Sequence, residues 1–147
     1  MTAAIHLAGP EQAALCHGLV AQYHAEANLP YDEAYRAAVV DPLLEGSPLG
    51  AMWLLGPARA PLGYVTVTFT WSIAAGGMTG QVREMFIRDK VRRRGIGTES
   101  IHALAVALRG AGVKALDVDL AQEDQRSFWF KAGFKQESQV LTLTDVL

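Results

Sequence analysis

Residues 92–98, Arg92-Arg93-Arg94-Gly95-Ile96-Gly97-Thr98, set three guanidinium groups, two glycines and a hydroxyl in a row. These are the groups that hold an anion. Met85-Phe86-Ile87 before them reads as a strand. After them Ile101, Leu104, Ala105 and Leu108 recur at i, i+3, i+4 and i+7, the spacing of one buried helix face. The turn therefore opens a helix, where free N–H groups and the positive dipole end point outward. Two glycines let a ligand approach the backbone, and the arginines add charge. The combination predicts a polyphosphate site.

Three glycine-loop readings compete for that ligand. A P-loop requires lysine after its second glycine, and Gly97 is followed by Thr98. A dinucleotide fingerprint requires a third glycine where Ser100 stands, although Asp117 lies where that motif wants an acid. The third pattern is R-x-x-G-x-G, and residues 92–97 match it at every defined position.

On these residues the chain resembles the GNAT N-acetyltransferases, whose acyl-CoA-binding motif has this form. The likeness runs on through Asp117 to Phe134, ending in the aromatic-x-lysine-x-Gly-Phe pattern of Trp129-Phe130-Lys131-Ala132-Gly133-Phe134. Residues 62–134 carry it; the first 60 fit in length and element order only.

The resemblance implies a cosubstrate, acetyl-CoA, with Arg92, Arg93, Arg94, Gly95, Ile96, Gly97 and Thr98 around its pyrophosphate. Met85, Phe86 and Ile87 would carry pantetheine and the thioester carbonyl through their backbone. It implies acetyl transfer to a primary amine by direct attack in a ternary complex. A protonated amine cannot attack, so a base is required. Glu84 is the candidate: it stands eleven residues before Gly95, and as a strand residue it should share a face with Val82 and Phe86. The alternative is a solvated strand carboxylate paired with Arg83. Trp129 falls where many relatives have a tyrosine proposed to protonate the leaving thiolate. An indole is no practical acid, so Trp129 is expected beside the pantetheine or as a core aromatic. Gln122 falls where many relatives have an asparagine that bonds the pantetheine amide, and it keeps the same donor and acceptor.

These residues need a scaffold. The 147 residues fit one domain, residues 1–147, and half are apolar, enough for a core. Net charge is −2, so nothing general draws the chain to nucleic acid or an anionic membrane. The basic cluster is local and lacks interleaved aromatics. Cys16 is the single cysteine, which suits a reducing cytoplasm. No apolar stretch approaches a membrane span and no signal peptide is expected. His6, His17, His24 and His102 show no ligand spacing, so no metal is expected.

In chain order, residues 3–7 read as a strand, and Pro10 and Glu11 start a helix. A second helix carries Tyr31, Ala34, Tyr35 and Ala38, and is expected to end around Asp41-Pro42 and Gly46-Ser47-Pro48. Residues 51–55 read as a central strand. Val65, Val67, Phe69 and Trp71 alternate with threonines as the clearest strand. Residues 74–80 read as a flexible connection, and residues 116–120, 123–131 and 139–143 as strand, helix and last strand. The order βααβββαβαβ implies a mixed α/β fold. With the resemblance, that is a mostly antiparallel sheet of about six or seven strands with helices on both faces.

The acceptor is expected in a cleft built from residues 23–47 and 70–80. His24 and Tyr23 either line it or are a surface histidine and a core tyrosine. A small-molecule amine is slightly preferred to a peptide amine, and a homodimer is left open. A second reading is a non-catalytic acyl-CoA-binding sensor or partner module on the same fold.

Overall fold

The computed structural model describes residues 4–120 and 125–136, together with residue 144. Five strands form one sheet in the order β1 (Ile5–Leu7), β2 (Gly50–Leu55), β3 (Gly63–Ser72), β4 (Gly77–Ile87) and β5 (Leu116–Val118). The first four pair antiparallel with their neighbours, and β5 joins β4 in parallel. Among the described residues there are thus five strands; the expected one near Gln139 to Leu143 lies outside them. The element order agrees with the sequence reading as far as the helix after β5.

Both sheet faces are covered. Trp53, Leu55, Val65, Val67 and Val82 pack against Ile101, Leu104 and Leu108 of α3 (Ile96–Gly110) and Trp129 of α4 (Arg126–Lys131). Met52, Leu54, Tyr64 and Phe86 meet Leu19 and Val20 of α1 (Ala13–Glu26) and Val40 and Leu44 of α2 (Glu33–Leu44) on the opposite side. A strand covered on both faces reads as an unbroken apolar run, which is why residues 51–55 show no alternation. Each such side chain contributes roughly 1.5–3 kcal/mol by leaving water.

Three boundaries differ from expectation. Helix α2 starts at a cap, where Asp32 Oδ1 accepts from the Tyr35 amide at 2.8 Å. It then continues through Asp41 and Pro42 to Leu44. Proline there removes one late N–H bond, while Val40 and Leu44 stay buried around it. His17 Nε2 lies 2.6 Å from Asp41 Oδ1, joining α1 to this last turn. Strand β4 begins at Gly77, so residues 77–80, expected as connection, pair with β3 instead, Ser72 opposite Gly77 and Thr70 opposite Thr79. Their glycines hid them. The third is a bulge. Thr66 faces Glu84 and Val67 faces Val82, leaving Arg83 as an extra residue. The slip sends Val82 to the α3 side and Phe86 to the α1/α2 side. Glu84 therefore shares a face with Phe86 but not, as expected, with Val82. Among the described residues no helix is long and apolar enough to cross a membrane.

Candidate active site

The basic turn sits at the start of α3. Arg93 (φ 64°) and Gly95 (φ 79°) take left-handed conformations, and the helix begins at Ile96. The Glu99 amide is bonded to the Gly95 carbonyl at 3.0 Å. The amides ahead of it have no intrahelical acceptor, as at any helix start. A Cβ on Gly95 would meet nothing within 4 Å, so the backbone is open there. Arg93 and Arg94 are exposed beside it. An anion at this point would meet main-chain donors, the positive dipole end and two guanidinium groups.

The two glycines do different work. A Cβ on Gly97 would lie 2.8 Å from Phe128 Cε1 and 3.2 Å from Ile87 Cδ1. Gly97 is thus required for close packing of α3 on α4 and β4, whereas both glycines were expected to face ligand. Arg92 also differs from its neighbours. Its Nε donates to the Ile87 carbonyl at 2.7 Å, and its guanidinium pairs with Glu26 at 2.6 Å and lies 5.5 Å from the Phe86 ring centre. It braces the turn against the end of β4 and the end of α1.

Between this turn and Glu84 runs a forked edge. Strand β5 pairs with β4 only from Gly80 to Val82. Residues 83–87 have no strand on that side among the described residues. Met85 and Ile87 send their side chains to the α3 core and Phe86 sends its own to the other.

Glu84 stands at the mouth of the fork. Tyr64, fully buried, donates its hydroxyl to Glu84 Oε1 at 3.0 Å. The Glu84 amide donates to Thr66 Oγ1 at 3.1 Å. Burial, then the Glu84 charge and the hydrogen bond to it, push the Tyr64 phenol far above its ordinary range, so it remains a donor. Glu84 opens into a cavity of about 430 Å³ shared with Tyr23, His24, Tyr31 and Tyr35. His24 is buried, not on the surface, and its burial holds the imidazole below its ordinary pKa against the opposing pull of Glu84. Burial and then the Glu84 charge also raise Tyr23. The cavity's other wall comes from residues 66–68 with 83 and 84, not from residues 70–80. Sequence reasoning missed Tyr64 and Thr66. The register that pairs Tyr64 with Phe86 and Thr66 with Glu84 brings them together, and only strand pairing could have shown it.

Trp129 is 6% exposed, packed edge-on to Phe128 and Phe134 at 5.0 Å each. It packs here as part of the α3-side core. Gln122 lies outside the described residues.

The model of the acetyltransferase (GNAT) family matches residues 15–134. The chain belongs to the GNAT acetyltransferase family. That span takes in α1 from its third residue onward, the bulged strand and the basic turn. Among solved structures, an integron cassette protein, HFX_CASS3, from the mobile metagenome of Cole Harbour Salt Marsh shares 26% identity. Its TM-score is 0.80, over 97% of this chain and 90% of that one. A ribosomal-protein-alanine N-acetyltransferase from Brucella melitensis biovar Abortus 2308 is 16% identical with a TM-score of 0.76, covering 99% of each chain. An aminoglycoside acetyltransferase, meta-AAC0020, from an uncultured soil metagenomic sample and in complex with sisomicin, is 15% identical. Its TM-score is 0.80, over 99% of this chain and 97% of that one. At such identities the last two establish a shared fold. A sequence comparison with curated proteins returned no match. The chain thus has a carboxylate, a forked strand edge and a basic helix start in consecutive stretches of one strand–turn–helix unit.

Proposed function

We propose that this GNAT protein is an N-acetyltransferase that moves the acetyl group of acetyl-CoA to a primary amine in a ternary complex. The observation that carries the reading is Glu84, anchored by Tyr64 and lining the cavity, three residues ahead of the end of the forked strand. The residues fit the cosubstrate. The α3 amides with Arg93, Arg94 and Thr98 would hold its pyrophosphate, Arg92 would steady the turn, and the free edge of residues 85–87 would bond pantetheine.

The amine arrives as an ammonium ion and gives one proton to Glu84, directly or through water. The neutral nitrogen attacks the thioester carbonyl, a C–N bond forms, and the C–S bond breaks. The nitrogen sheds its second proton, through water, to the departing thiolate, which leaves as CoA with its free thiol, and a neutral amide remains. A free thiol has a pKa of roughly 8.5, so the thiolate needs no side-chain acid. A buried Trp129 is consistent with that. The lone thiol of Cys16, buried and raised to about 11 by burial and then by Asp41, takes no part and suits a cytoplasmic setting.

Glu84→Gln tests the assignment. It should lower kcat by about two orders of magnitude, while calorimetry finds CoA binding unchanged. Turnover equal to wild type across the pH range would remove Glu84 from the mechanism.

A further inference from the structure

We propose that the acceptor is a small monoamine with an apolar or aromatic body, and not a polycation. The inference rests on the N-acetyltransferase reading and concerns the cavity beside Glu84. At about 430 Å³ that cavity has the size of a small-molecule site.

Its charges count against a polycation. Glu84 is the sole carboxylate among the described residues that line it, and Arg83, set beside it by the bulge, lines the same space. Arg36, outside the lining, donates its Nη1 to the Tyr31 carbonyl at 2.8 Å, and its charge is offset there by Asp32, whose Oδ1 accepts from the Tyr35 amide at 2.8 Å. A single ammonium can face Glu84. A second and third would find hydroxyls but no second carboxylate in the described lining, and would meet the Arg83 guanidinium. Burial holds the His24 imidazole below its ordinary pKa, disfavouring a further positive charge near Glu84.

Its aromatic groups suit an apolar body. Tyr31 and Tyr35 stack with ring centres 4.0 Å apart and 10° between planes. They are 39% and 41% exposed, so this is a wall at the mouth of the cavity and not part of the core. His24 meets Tyr31 edge-on at 5.0 Å, and Tyr23 lies 5.8 Å from His24. Val39 and Leu43 complete an apolar side. An exposed stacked pair beside an apolar side accepts a ring or branched alkyl group, and aromatic faces also favour a nearby ammonium.

The test compares 2-phenylethylamine, spermidine and sisomicin as acceptors, reading kcat/KM from CoA thiol release. The monoamine should exceed both polycations by about tenfold or more. A smaller ratio, or a preference for either polycation, overturns the proposal. Should none of the three be acetylated, calorimetric Kd values on the CoA-saturated protein decide by the same ratio. Selective monoamine binding would then uphold the pocket assignment while the transferase reading fails. Tyr35→Ala should raise KM for 2-phenylethylamine about fivefold with KM for acetyl-CoA unchanged, and Tyr35→Phe should restore it. An unchanged amine KM in Tyr35→Ala also overturns the proposal.

Discussion

Glu84 owes its place to two hydroxyls. Tyr64 holds one carboxylate oxygen from inside the core, and Thr66 accepts from the Glu84 amide across the bulge. In its proposed role as base, Glu84 must be held to the right direction, and a small misplacement is costly. Tyr64→Phe keeps the ring that packs against Phe86 but removes the hydroxyl. It should lower kcat about tenfold, with KM for acetyl-CoA unchanged and a stability loss of about 1 kcal/mol. Stopped assays at saturating cosubstrate would measure the first, and urea denaturation the last. A Tyr64→Phe enzyme with wild-type kcat would show that Glu84 is positioned by its own strand alone.

At the scale of elements, the strand–turn–helix unit from β4 to α3 was legible because its parts are consecutive. A strand run, a basic turn, glycines and an amphipathic helix are local signals. The cavity was not legible, because its walls come from α1, α2, β3 and β4 and meet only through sheet register. The bulge at Arg83 is a single-residue slip with no residue signature, yet it decides which face Glu84 takes. Gly97 was read as a ligand-facing glycine because a motif does not say what lies behind the backbone; Phe128 does. Helix α3 offers a paired test with opposite signs. Gly97→Ala puts a methyl group 2.8 Å from Phe128 and should cost roughly 1–3 kcal/mol and weaken CoA binding. Gly110→Ala, at the far end of the same helix with nothing within 4 Å, should stabilise by up to about 1 kcal/mol. Thermal melts compare the two. A Gly97→Ala protein as stable as wild type would contradict the packing role.

The whole molecule is a sheet between two cores, and the cavity lies on the α1/α2 side. Packing His24 in that wall has a consequence for stability. Its folded pKa lies below the ordinary 6.5. Below about pH 6.5 the unfolded chain takes up a proton that the folded one refuses, so stability is full above that value and falls as pH drops through it. His24→Gln should remove this loss, so that urea midpoints at about pH 7.5 and about pH 5.5 differ less than in wild type. An unchanged difference would mean that His24 titrates alike in both states. The fold, the basic turn and the held carboxylate support the proposed transfer of acetyl from CoA to an amine. Its most direct measurement is the amount of thiol released beside the amount of amide formed when protein, acetyl-CoA and 2-phenylethylamine are mixed. The account predicts amine-dependent release with one amide per thiol. Thiol release that does not depend on any amine across a broad panel of primary amines, with CoA bound to the protein, would contradict it.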